Sequence, residues 1–191
     1  MEHSLLMTAN ASYSLNFLIF LQNLYLNQNK NVEKMKFPFI PTKQSFNENF
    51  ETVFSDIWNE VTHRLAHHEH NDLKIFIEEK ALFYNKLFNN NADSLKVFNS
   101  IYKNFLIWWD SFAGRFSIER SINEISEMLY EDLADVLKKR GFERTIILNI
   151  SLIYDECLLA NNHATLNFVT IPIEYCFYKY KDIVVKLEEC I

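Results

Sequence analysis

The chain has 191 residues, 49% hydrophobic and 15% aromatic, with a net charge of −6. That is enough apolar material for one domain that folds without a disulfide or metal staple, and the wrong sign for a nucleic-acid groove, which needs a basic stripe. Only two glycines (Gly114, Gly141) and three prolines (Pro38, Pro41, Pro172) punctuate it, so phosphate cradles, dinucleotide fingerprints and the G-x-S-x-G nucleophile elbow are all absent, and long helices are favoured over many tight turns.

The predicted elements run as follows. Helix one covers about residues 4 to 28. Its core, SYSLNFLIFLQNLYL at 12–26, has the look of a signal-peptide centre. The flank MEHS carries no Lys or Arg, however, and Asn16, Gln22 and Asn23 interrupt the run, with no small-residue cleavage site after it. It is also too short and polar to span a bilayer. We read it as a deeply buried helix, with membrane association as the alternative. The stretch NQNKNVEKMKFPFIPTKQ is irregular because Pro38 and Pro41 bar a continuous helix; Phe37, Phe39 and Ile40 are expected to dock from it. Helix two is expected to open at Ser45, with Glu48 completing an S-x-x-E capping box, and its apolar residues Phe46, Phe50, Val53, Ile57, Val61 and Leu65 recur at helical steps. Asn71 or Asp72 is expected to cap helix three, LKIFIEEKALFYNKLF. After the turn NNNADS, Asp93 or Ser94 opens helix four, whose aromatics Phe98, Tyr102, Phe105, Trp108, Trp109 and Phe112 read as core. Gly114 ends or kinks it.

Helix five opens at Ser121, paired with Glu124, or earlier at Ser117. It carries Ile118, Ile122, Ile125, Leu129, Leu133 and Val136 at helical steps, ends in Lys138, Lys139 and Arg140, and closes on Gly141 as a left-handed C′ residue. This explains the basic run without nucleic acid. ERTIILNISLIYDECLLA is expected to be helix six, its β-branched content leaving a strand open. NNHAT, at 161–165, is a turn. In the last segment an extended stretch is expected to end near Pro172, with a helix starting there. The architecture expected from these elements is all-α: one domain over residues 1–191, a helical bundle of six or seven helices.

The chemistry concentrates in THRLAHHEH, residues 62–70, which holds four of the six histidines. On a helix, Glu60, His63, His67 and His70 align within about 80° of the circumference. The Glu-x-x-His step serves carboxylate-bridged metal bundles and the i, i+4 histidine step serves zinc, so these four are the candidate ligands for a divalent transition metal. The stripe is centred roughly 130° from the apolar one, which turns it toward solvent, while His68 lies nearer the apolar side. Glu127 and Glu131, or His163, are the partners another segment could offer. Glu78 and Glu79 read as solvated surface.

The segment RLAHHEH also places a histidine, His70, six residues after Arg64. This resembles the active motif of HEPN ribonucleases, which are all-α bundles. The resemblance implies RNA cleavage by Arg64 and His70. It covers seven residues, and Leu65 stands where that family tends to place a polar residue.

The three cysteines, Cys157, Cys176 and Cys190, form no C-x-x-C pair, which excludes a zinc ribbon or finger and points to buried or idle thiols in a reducing, cytoplasmic compartment. By elimination, the function expected is a non-enzymatic interaction or regulatory module acting through an apolar groove or oligomer interface. Its partner would be another protein or a second copy, with a small apolar ligand as a further occupant. Metal chemistry on the histidine stripe and ribonuclease activity are the alternatives.

Overall fold

The computed structural model describes residues 5–29, 35–41, 43–68, 71–141, 145–160 and 167–191. In chain order the elements are β1 (Leu5–Ala11), α1 (Tyr13–Asn29), α2 (Phe50–His67), α3 (Asn71–Leu73), a π-helical turn at Lys74–Glu78, α4 (Lys80–Leu87), α5 (Ala92–Trp109), a kinked turn at Phe112–Phe116, α6 (Ser117–Arg120), α7 (Ser126–Lys139), β2 (Ile146–Ile153), β3 (Phe168–Pro172), α8 (Ile173–Tyr178) and α9 (Tyr180–Glu188). The expected all-α bundle is thus overturned by a three-stranded parallel sheet in the order β1-β2-β3; the fold is mixed α/β. The turn at 161–165 expected from NNHAT lies outside the described residues, apart from its place in the chain.

The two strands that were expected as helices were hidden for different reasons. β2 is the central strand, paired parallel on both sides, and Leu148, Ile150, Leu152 and Ile153 are all buried. The strand is apolar except for Asn149 and Ser151, and an apolar run this short cannot be told from a buried helix segment by periodicity alone. β1 takes the first residues of the expected helix one. Its polar residues Thr8 and Asn10 alternate with Met7, Ala9 and Ala11, and Thr8 Oγ1 donates to Asn149 Oδ1 of β2 at 2.7 Å.

The chain divides into two compact units. Unit 1 comprises residues 1–12, 111–156 and 162–191, and unit 2 residues 13–110 and 157–161. Within unit 1, α7 buries Leu129, Leu133 and Leu137. The helix closes as expected on Gly141, at φ +70°, whose N–H donates to the Lys138 carbonyl at 3.2 Å. Neither Ser121 nor Ser117 opens α7; residues 121–125 are a turn after the short α6. β3 runs into α8 at Pro172, which occupies the N-cap in an extended conformation. This is the extended-then-helical break expected there.

Within unit 2, α1 is buried on every side, its residues from Ser14 to Leu24 all inaccessible. The Phe17 ring sits 5.1–6.2 Å from the rings of Phe76, Phe83, Phe98, Tyr102 and Phe105. α2 starts at Phe50 with no side-chain cap, so the Ser45–Glu48 capping box does not form; Ser45 instead accepts from the Asn89 N–H, beside a Phe46–Phe88 bridge. α5 is capped by Asn91, whose side chain accepts from Ser94 N–H. Of the residues expected to dock from the Pro38–Pro41 stretch, Phe37 and Phe39 are both exposed, Phe37 with its ring 5.0 Å from that of Trp108, and Ile40 is half-buried.

Asp72, expected as a local cap, lies inside α3 and serves a distant helix instead. Its carboxylate accepts the N–H groups of Tyr13 at 2.7 Å and Ser14 at 2.9 Å, and its carbonyl accepts Ser14 Oγ at 3.1 Å. It therefore caps the positive end of α1 from 58 residues away. Replacing it should remove two charge-assisted bonds and a favourable dipole interaction. Asp72→Ala is expected to destabilise the fold by about 1–2 kcal/mol, and Asp72→Asn by less. Urea denaturation of the variants checks this; an Asp72→Ala protein as stable as the parent would refute the cap.

Candidate functional site

α2 buries Phe50, Phe54, Ile57, Trp58, Val61 and Leu65 against the rest of unit 2. That leaves Glu60, His63 and His67 exposed on its other side, where the helical wheel puts them. His70 lies outside the described residues, as does His163. His68 is exposed, not near the apolar side: the chain has already left the helix there in an extended conformation. The His63 and His67 ring centroids are 4.3 Å apart. His67 Nδ1 lies 2.8 Å from the His63 carbonyl, an oxygen that can only accept, so this nitrogen is the hydrogen-bond donor.

Glu60 and Arg64 are drawn into a different arrangement. The Arg64 guanidinium lies 3.6 Å from Glu60 and grips both oxygens of Glu79, at 2.6 and 2.8 Å. Glu79 is therefore no idle surface carboxylate, although its neighbour Glu78 is exposed. The Arg64 bonds hold Glu79 below the usual carboxylate range, against the opposing effect of burial, and raise Arg64 in turn. For the ribonuclease-like motif this means that its arginine is already engaged by two carboxylates. Glu127 and Glu131 are exposed on α7 in unit 1. Among the described residues no group of three or more His, Cys, Asp or Glu is gathered closely enough to hold a metal.

Unit 1 carries a feature that the sequence did not signal. Met7 and Ala9 of β1, Phe116, Glu119 and Arg120 around α6, Ile122 and Asn123 of the following turn, and Ser126 line a recess of about 450 Å³. Glu119 Oε1 fixes its wall, accepting from Arg115 Nε at 2.8 Å and from the Ala11 N–H at 3.4 Å. Since β1 is an edge strand and the Ala11 amide turns to Glu119, the two-residue period also turns the Met7 and Ala9 backbone groups away from β2. Among the described residues no ion pair reaches Arg120. Phe112 and Phe116 stand beside the recess 82% and 56% exposed, their rings 5.7 Å apart edge to face.

Phe112 had been grouped with the core aromatics of helix four. Phe98, Tyr102, Phe105 and Trp109 are indeed buried and Trp108 half-buried, but α5 stops at Trp109, and Gly114 adopts a non-helical ψ of −126°. The signal available in the sequence was SFAGRF itself, a pair of phenylalanines flanking a glycine after a helix-ending aspartate.

The opposite edge of the sheet is closed. Lys186 Nζ of α9 donates to the Thr170 carbonyl of β3 at 2.9 Å, and Cys190 Sγ to the Lys186 carbonyl at 3.2 Å. Burial lowers the Lys186 ammonium and pushes the Cys190 thiol up to about 11. All three cysteines are buried and none forms a disulfide.

Comparison with known proteins finds no family model, curated protein or solved structure that matches the chain. Among the described residues no helix is long and apolar enough to cross a membrane.

The Arg64–Glu79 pair gives a pH signature. Because Glu79 is lowered from its ordinary 4.5, its pairing stabilises the fold above that value and is lost as pH falls through the lower, folded value. With Glu79 34% exposed, solvent screening limits the contribution to about 0.5–1 kcal/mol. Glu79→Gln is expected to lose this at pH 7 and to converge on the parent at a pH low enough to protonate Glu79 in the folded protein. Denaturation at the two pH values tests it; a difference that is the same at both would exclude the ion pair as its source.

Proposed function

We propose that the protein is a non-enzymatic interaction module that docks an extended segment of a partner protein along the outer edge of β1. The reading is carried by the register of β1: with the Ala11 amide turned to Glu119, the two-residue period turns the Met7 and Ala9 backbone groups out of the sheet, beside a recess that mixes the apolar Phe116 and Ile122 with the polar Glu119, Arg120, Asn123 and Ser126. A strand added there would gain main-chain hydrogen bonds, while alternate side chains would enter the recess and give specificity. Phe116 and Ile122 would receive an apolar side chain, with Phe112 extending the surface. Arg120 is the cation that would select an acidic residue beside it. Three thiols that form no disulfide support a cytoplasmic setting, where such a module stays reduced.

Selection of random displayed peptides against the full chain, followed by anisotropy titration, tests the proposal. The expected binders are extended sequences with a large apolar residue next to Asp or Glu. Ala9→Pro removes an outward N–H that no ladder bond uses, a change edge strands tolerate. Both Ala9→Pro and Arg120→Glu should weaken binding tenfold or more, which is about 1.4 kcal/mol. Peptides that bind both variants as well as the parent would refute the site. Light scattering that finds the chain pairing with itself, in a manner Ala9→Pro abolishes, would put a second copy in the partner's place.

A further inference from the structure

We infer that His63 and His67 form one half of a divalent transition-metal site, completed by the same two residues of a second copy of the chain. The pair has what a zinc ligand set needs locally. The residues are one helical turn apart and exposed, with ring centroids 4.3 Å from each other. Small side-chain rotations bring two nitrogens so placed to a common ion at the usual ~2.0–2.1 Å. His67 is also held ready, since its Nδ1–H donates to the His63 carbonyl at 2.8 Å. Metal-bound histidines almost always engage their second nitrogen in this way, and Nε2 is left as the donor.

The same neighbourhood cannot finish the coordination sphere from the described residues. Zinc in a closed site takes four ligands in a tetrahedron. Glu60, the nearest carboxylate in the stripe, faces Arg64, and Arg64 is clamped by Glu79. No third ligand is gathered with the two imidazoles among the described residues. Among the described residues two ligands are present where four are needed, a deficit that a two-fold axis fills: an isologous contact supplies the same pair twice. Electrostatics favour the arrangement. His67 is the last residue of α2, at the negative end of the helix dipole, where a cation is stabilised. A dication also offsets repulsion between two chains of net charge −6 each.

The experiment uses the full chain without an affinity tag, with zinc chloride as the only added metal. Sedimentation velocity reads mass, and atomic emission after equilibrium dialysis reads bound zinc. The expected result is a zinc-dependent doubling of mass, reversed by chelator, with one zinc per two chains. His63→Ala combined with His67→Ala should abolish both the doubling and the bound zinc. His67→Ala alone should weaken zinc binding about tenfold or more. His68→Ala, also exposed but off the stripe, should leave both unchanged. Because these side chains lie in solvent, the variants should keep the parent's thermal unfolding, and Ala9→Pro should double in mass with zinc as the parent does. One zinc per monomeric chain, no zinc retained, or retention unaffected by the double substitution would each overturn the shared site.

Discussion

A helix buried on every side can hold polar side chains only where each finds a partner, and α1 is built around that condition. An unsatisfied buried donor or acceptor costs about 1–3 kcal/mol, a large share of a typical domain's stability. Gln22 Oε1 accepts the backbone N–H groups of Leu158 at 2.7 Å and Leu159 at 3.1 Å. Asn23 donates to the Phe37 carbonyl at 2.7 Å, and Asn27 bonds both ways with Lys36 while donating to the Pro38 carbonyl at 3.0 Å. Gln28 accepts from Gln44 N–H at 3.0 Å. The interruptions that make α1 unlike a membrane or signal segment are thus the groups that fasten two irregular stretches to it. With Asp72 capping its start, the helix organises unit 2 by hydrogen bonds as much as by aromatic packing.

The aromatic content follows from the same arrangement. Phe17 is surrounded by rings from the π-helical turn, α4 and α5 at edge-to-face or tilted angles, the geometry that ring quadrupoles prefer. The π-helical turn itself places Phe76 in this cluster and lets its carbonyl accept from Tyr102 Oη at 3.1 Å. Immediately after it, Glu79 reaches Arg64. An extra residue in a helical turn shifts which side chains face inward; here Ile75 and Phe76 are buried and Ile77 and Glu78 exposed.

What the sequence makes legible is what local physics controls. The α2 stripe, the Gly141 stop and the Pro172 break each depend on a few neighbouring residues, and the structure has all three. The outward turn of Glu60, His63 and His67 follows from the helical wheel alone. The sheet was not legible, because a parallel strand takes its partners from outside its own neighbourhood, as Leu5 does from Ile146 and Asn149 from Phe168. Arg64–Glu79 and Asp72–Tyr13 are hidden likewise, since nothing at either residue announces a partner 15 or 59 positions off. The recess fails to show in sequence because it needs β1, which was read as helix, and because the helical spacing of aromatics runs past the end of α5 into Phe112.

The two edges of the sheet explain why a partner strand would be sought at β1 and not at β3. Open edges invite unintended pairing, and folded proteins blunt them with charged side chains, proline or covering elements. β3 has such protection: the Lys186 amine occupies the Thr170 carbonyl, and Pro172 ends the strand without an N–H to offer. At the end of β1, Glu119 takes the Ala11 amide. Ahead of that point Met7 and Ala9 have small or flexible apolar side chains and no charge, in a protein that carries 25 acidic and 19 basic residues to spend elsewhere. An edge closed on one side of a sheet and left apolar on the other is the asymmetry expected of a surface kept for a specific strand.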